Sequence, residues 1–174
     1  MIQLIDSIKD NGLLVPALVR PNKEGTGYEM ISGHRRHYAS KANQLQTIPC
    51  IIRDLSDDQA TIIMVDSNIQ RENILPTERG HAYKMKLDAM NHQGKRNDLT
   101  FSQLGKKLKR DYSIDILSKQ IDETKNQIYR YIRLTELIDP LKDMVDGLRA
   151  DGKKIALNPA VELSYLTKKI KNLW

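Results

Sequence analysis

The sequence predicts two structural classes in one chain. An α+β N-terminal domain with a small sheet spans residues 1–75, and an all-α domain with a helix-turn-helix near residues 113–137 spans residues 76–174. Three observations carry this reading. Short β-prone runs alternate with helical patterns ahead of Pro76, and nearly everything after it has helical periodicity. The charge divides at the same place, with a net −1 over residues 1–75 and +7 over residues 76–174. A near-neutral half joined to a basic half predicts that only the second meets a polyanion.

In chain order, Ile2–Asn11 spaces Ile2, Ile5 and Ile8 as a short amphipathic helix closed by Gly12. Ala17–Arg20 is a short strand between Pro16 and Pro21. The polar turn Lys23–Gly27 leads into a second strand, Tyr28–Ser32, and makes a hairpin. His34–Asn43 reads as helix and Ile48–Arg53 as strand. Ser56 then caps a helix over Asp57–Gln70 whose apolar face is Ala60, Ile63, Met64 and Ile69. A further helix, Glu78–His92, follows Pro76. Polar breaks fall at Gln93–Leu99, Asp122–Thr124 and Ala150–Lys153.

Cys50 is the only cysteine, so no internal disulfide forms, and its apolar neighbours predict a small buried hydrophobe. Met1–Leu14 carries Asp6, Lys9 and Asp10, unlike a secretory signal, and no apolar run approaches the roughly 20 residues of a membrane span. Lys168–Trp174 sits in a helical pattern with no stop signal, which predicts a fragment of a longer protein.

The DNA-binding reading rests on Ser113–Ile121 as a first helix capped by Ser113, Asp122–Thr124 as a tight connection, and Lys125–Leu137 as a second helix. Asp122 stands where this motif often has glycine. Lys125, Asn126 and Gln127 open the second helix and Arg130 lies one turn on. Asn and Gln match adenine, and Lys or Arg guanine, when a helix N-terminus enters the major groove. Arg133 is placed for phosphate. Lys106 and Lys107, with Lys109 and Arg110, form an upstream basic patch for backbone contact. A solvated helical hairpin is the plain alternative, and the basic patch favours DNA.

A second constellation pairs Gly33-His34-Arg35-Arg36 with Asn68 and Arg71. Glycine at a strand end lets backbone amides approach a ligand, and paired arginines suit a polyphosphate. Either segment alone is weak evidence. Their order with the other motifs resembles the ParB partition proteins along nearly the whole chain. Gly12-Leu13-Leu14-Val15-Pro16 followed by Val19-Arg20-Pro21 is similar to the family's first box, Gly33–Ala39 to the second and Ser67–Asn73 to the third. Leu157–Leu166 resembles the segment after the DNA reader. Gly94–Lys109 is similar to versions carried on integrative and conjugative elements of Gram-positive bacteria.

The resemblance implies a ParB/sulfiredoxin-like N-domain that binds CTP with magnesium, with Gly33, Arg35 and Arg36 on the triphosphate and Asn68 and Arg71 completing the site. It also implies a central domain that reads a palindromic double-stranded DNA site in chromosome or plasmid partition. The implied partners are a second copy, held through the N-domain and a C-terminal domain this fragment lacks, and a ParA-type ATPase. The location implied is cytoplasmic and nucleoid-associated. His34 and Ser67 stand where the family has glutamates, and neither is an anionic magnesium ligand. Asp66 and Glu72 are out of register to replace them. The resemblance therefore implies a CTP-dependent sliding clamp with weak CTPase activity. The alternative is a helix-turn-helix transcription regulator whose N-domain binds no nucleotide. An enzyme on the same fold is disfavoured, because Cys50 is misplaced for a sulfiredoxin and no carboxylate cluster suits a nuclease.

Overall fold

The computed structural model describes residues 1–71, 73–93 and 103–166, with the side chains of 93 and 103–110 outside the description. The chain forms two compact units, Met1–Ser67 and Asn68–Trp174.

The first unit is built on a three-stranded sheet ordered β2-β1-β3. Helix α1 (Ile2–Asn11) ends at Gly12, whose N–H still donates to the Ile8 carbonyl at 2.9 Å and whose φ of 70° then turns the chain out of the helix. β1 (Ala17–Pro21) pairs antiparallel with β2 (Tyr28–Ser32) and parallel with β3 (Cys50–Ile52). The hairpin closes through Asn22 N–H to Gly27 O at 3.0 Å. α2 (His34–Ala42) packs on α1, and the Asn43 side-chain amide donates to the Ile5 carbonyl at 2.8 Å. Ile8, Ala17, Val19, Ile31 and Ala39 are buried. α3 (Asp57–Ile69) starts with a reciprocal cap. The Ser56 hydroxyl accepts from Gln59 N–H at 3.3 Å, and the Gln59 side-chain oxygen accepts from Ser56 N–H at 3.0 Å.

Arg20 is the polar tie of this unit. Its buried guanidinium donates to Glu29 on β2 at 2.7 Å, to the Leu55 carbonyl at 3.0 Å, and pairs with Asp57 at the start of α3 at 2.9 Å. Two expectations are corrected. β3 is only three residues long, and Cys50 on it is exposed instead of buried. All three residues of β3 are exposed although successive side chains point to opposite faces of the sheet, so the strand is covered on neither face.

The second unit is helical among its described residues: α4 (Pro76–Gln93), α5 (Gln103–Ile121), α6 (Lys125–Arg133), a 3₁₀ turn at Leu134–Glu136, α7 (Asp139–Asp146) and α8 (Leu157–Ser164). Tyr83, Leu87, Ile114, Leu117 and Ile128 form one core, joining α4, α5 and α6. Leu134, Leu137, Leu141, Ala160 and Val161 form another beneath α7 and α8. The Asp146 carboxylate accepts from both the backbone N–H and the hydroxyl of Thr77, fixing the start of α4 to the end of α7.

Ser113 is not a helix cap. α5 runs unbroken from Gln103 to Ile121, and Ser113 is buried within it with its hydroxyl donating to the Asn91 side-chain oxygen at 2.9 Å. Ile114 and Leu117, which follow Ser113, are buried in the core with α4 and α6, so tertiary packing overrides the local capping preference of serine. The helix expected over Lys125–Leu137 tightens into the 3₁₀ turn after Arg133, because Leu134 and Leu137 turn into the second core.

Candidate functional site

The exposed face of α6 is prepared by the turn before it. Asp122 has φ +54°, the left-handed conformation that glycine adopts without strain. The Ser118 hydroxyl donates to the Glu123 carbonyl at 2.5 Å, and Glu123 N–H returns to the Ser118 carbonyl at 3.3 Å. Thr124 then caps α6, its side chain accepting from Gln127 N–H at 3.2 Å. The Glu123 carboxylate takes a hydrogen bond from Arg79 on α4 at 3.0 Å, and the Arg79 guanidinium lies 5.3 Å from the centroid of the Tyr131 ring. Buried Tyr83 stands edge-on to Tyr131 at 6.0 Å. Burial, followed by the nearby Glu123 charge, pushes the Tyr83 hydroxyl well above its usual range, so it stays protonated.

Gly80 brings α4 against α6. A Cβ added there would lie 2.2 Å from the Tyr131 carbonyl oxygen, so a hydrogen side chain is what the close approach requires. Sequence reasoning does not single out Gly80, Arg79, Glu123 or Asp115. An isolated glycine inside a helical pattern is the available signal for the first. The other three act through partners at least ten residues away in sequence, which periodicity does not reveal.

The cations of α6 differ in their partners. Lys125 pairs with Asp115 on α5. Arg133 donates through Nε to the Ser164 hydroxyl and through Nη2 to the Ser164 carbonyl, both at 3.0 Å, and stacks 4.0 Å over the Tyr165 ring. Arg133 is thereby engaged with α8 and the residue following it. Arg130 is exposed and has no ion pair with any other described residue. Asn126 is exposed beside it, and Gln127 is partly exposed. Lys106 and Lys107 lie on the backbone of α5, and their side chains fall outside the described residues.

Of the predicted nucleotide residues, Gly33, Arg35 and Arg36 lie in the first unit, and Asn68 and Arg71 in the second. Gly33 is the N-cap of α2 with φ +114° and supplies no side chain to cap it. A Cβ there would also meet the Ala17 side chain at 2.9 Å, so glycine is fixed by conformation and by space together. The first-turn amides of α2 point out of the helix end, beside exposed Arg35. Arg36 is committed in part, with Nη1 donating to the Val15 and Pro16 carbonyls at 2.7 and 2.9 Å.

The donor set does not fit magnesium. His34 is not an anionic ligand, and the Ser67 hydroxyl donates to the Met64 carbonyl at 2.8 Å. Among the described residues there is no group of three His, Cys, Asp or Glu side chains able to hold a metal. Glu72, the other residue considered for this role, lies outside the described residues. No helix among the described residues is long and apolar enough to cross a membrane.

A small mixed sheet domain followed by a helical bundle with an exposed, capped helix after a three-residue turn is the architecture these observations define. Residues 1–69 match the family model of the ParB N-terminal domain. The chain is thus similar to ParB proteins through its N-terminal domain. It is 41% identical over 86 residues to the chromosome-partitioning protein Spo0J of Thermus thermophilus, covering 49% of this chain and 31% of that one. It is 28% identical over 176 residues to a probable chromosome-partitioning protein ParB of Neisseria meningitidis, covering 99% of this chain and 54% of the other. The fold matches the C-terminally truncated chromosome-partitioning protein ParB of Caulobacter crescentus complexed to the centromeric parS site. That match has a TM-score of 0.55 at 21% identity and covers 97% of this chain and 76% of that structure. The chain thus spans between about a third and about half of the length of these two curated relatives.

Proposed function

We propose that this chain binds double-stranded DNA sequence-specifically in DNA partition, with α5 and α6 acting as a helix-turn-helix and α6 as its reading helix. The observation that carries this is the capped N-terminal half of α6, which presents exposed Asn126 and Arg130 together, with Gln127 partly exposed alongside. These are the side-chain types that read adenine and guanine edges. The Caulobacter protein, which shares the fold, is complexed to the centromeric parS site, and this supports the same reading. Incubating the chain with a pool of random duplexes and sequencing the bound fraction tests it. A recurrent motif is expected, and a bound fraction indistinguishable from the input pool overturns the reading.

The first unit, on this proposal, binds CTP, with the α2 amides, Arg35 and the free edge of Arg36 on the triphosphate. The resemblance of the three motif boxes supports CTP. The whole protein then works as a homodimeric clamp on DNA, with slow hydrolysis because His34 and Ser67 replace the carboxylates, and with a ParA-type ATPase as partner. Calorimetric titration with CTP, ATP, GTP and UTP, alone and with DNA, tests the pocket. Selective CTP heat is expected, and silence for all four under both conditions refutes it.

A second reading is favoured by the Ser67 hydroxyl being spent on its own helix. In that reading the chain is a static helix-turn-helix regulator that binds no nucleotide. Equal occupancy of linear DNA with free ends and end-blocked circular DNA, measured with the full-length protein, would support it.

A further inference from the structure

Lys125 is the first residue of α6, where a cation ordinarily helps a groove-entering helix reach the phosphate backbone. It is instead paired with Asp115, from the neighbouring α5, and both side chains are roughly half exposed. Asp111, one turn earlier on α5, adds a second negative charge, and together they hold the Lys125 ammonium above its ordinary lysine value, Asp115 contributing most. The pair is open to solvent, so it is weak enough to break and near enough to the reading face to matter. Arg130, five residues on, has no such carboxylate among the described residues.

We propose that Asp115 is a specificity-determining residue, which withholds Lys125 from the phosphate backbone and so suppresses binding to DNA of unrelated sequence. The inference rests on the reading of α6 as the DNA-binding helix. Non-specific binding comes almost entirely from cations replacing counterions along the phosphates. A lysine already paired to a carboxylate offers less to that exchange, because engaging a phosphate requires parting from Asp115 and leaves the carboxylate facing the polyanion. Base reading by Asn126, Gln127 and Arg130 does not draw on Lys125, so the restraint lowers background affinity more than sequence recognition.

The test uses the chain with a 30-base-pair duplex of random sequence as probe and four proteins: the starting chain, Asp115→Asn, Lys125→Gln and the double variant. Circular dichroism checks that each is folded. Asp115→Asn is expected to tighten binding about fivefold at moderate salt and to steepen the slope of log affinity against log salt by about one, the signature of one added phosphate contact. In the Lys125→Gln background the same substitution is expected to lose most of that gain. An equal gain in both backgrounds would make Asp115 a general repulsive charge and overturn the proposal, as would no change on Asp115→Asn. Absence of any binding by all four proteins down to low salt would instead remove the DNA reading itself.

Discussion

Arg133 separates two roles that the sequence alone treats as one. A phosphate contact leaves the guanidinium facing solvent, whereas the observed side chain forks onto Ser164 and covers the ring of Tyr165. Arg133→Ala removes two hydrogen bonds from a charged donor, worth about 1 kcal/mol each after allowing for partial exposure. It also removes a cation–π contact worth about 0.5–1 kcal/mol. The buried Ser164 keeps its own hydroxyl bond to the Val161 carbonyl at 2.6 Å, so no unpaired donor is added there. The sum is about 2–3 kcal/mol, which for a unit of this size lowers its melting temperature by roughly 10 °C. The assay is a thermal melt followed by helical circular dichroism, with the salt slope of DNA binding measured well below the transition. Arg133→Lys keeps the charge but not the fork, and is expected to recover little of the lost stability. A melting temperature unchanged on Arg133→Ala, with a salt slope shallower by about one, would refute the structural role and restore a phosphate contact.

Three further outcomes follow from the geometry. Gly80→Ala is expected to destabilise the second unit by about 1–2 kcal/mol despite the better helix propensity of alanine, because the added methyl group overlaps the Tyr131 carbonyl; a raised melting temperature would contradict the close approach of α4 to α6. Asp122→Gly is expected to stabilise the turn by about 0.5–1 kcal/mol, as the cost of a left-handed aspartate exceeds the extra chain entropy of glycine, and denaturant midpoints for the two proteins measure this. Asp151 is held down to about 2, first by Arg149 and then by the backbone N–H of Lys153, so its charge favours the folded state above the unfolded carboxylate value of about 3.9. The stability difference between the starting chain and Asp151→Asn should therefore shrink as pH falls from about 4 to about 2, and a constant difference across that window would show that Asp151 is not linked to folding.

The hairpin of the small sheet was legible because its two strands are short β-prone runs bounded by proline and glycine, and Tyr28–Ser32 emerges with the boundaries predicted. α1 and α3 were legible from apolar spacing, α3 also down to its Ser56 cap. The start of α5 was not, since Ser113 has the chemistry of a cap and only its burial against Asn91 reveals an interior position. The exposure of Cys50 depends on whether another element covers the faces of β3, a long-range property that an apolar run does not carry. At the candidate interface, the residue types on α6 were readable, but their commitments were not. Lys125 answers to Asp115 and Arg133 to Ser164, pairs that are 10 and 31 residues apart. Glu123 likewise gains its meaning from Arg79, 44 residues away.

The most direct test of the account is the affinity of Arg130→Ala for a duplex recovered from the random pool, set against its affinity for unselected duplex at the same salt. With Arg130 reading a base edge in the major groove, the selected duplex should lose about 10- to 100-fold while the unselected duplex loses only a few-fold. Equal losses on both duplexes would make Arg130 a backbone contact and contradict the assignment of α6 as the reading helix.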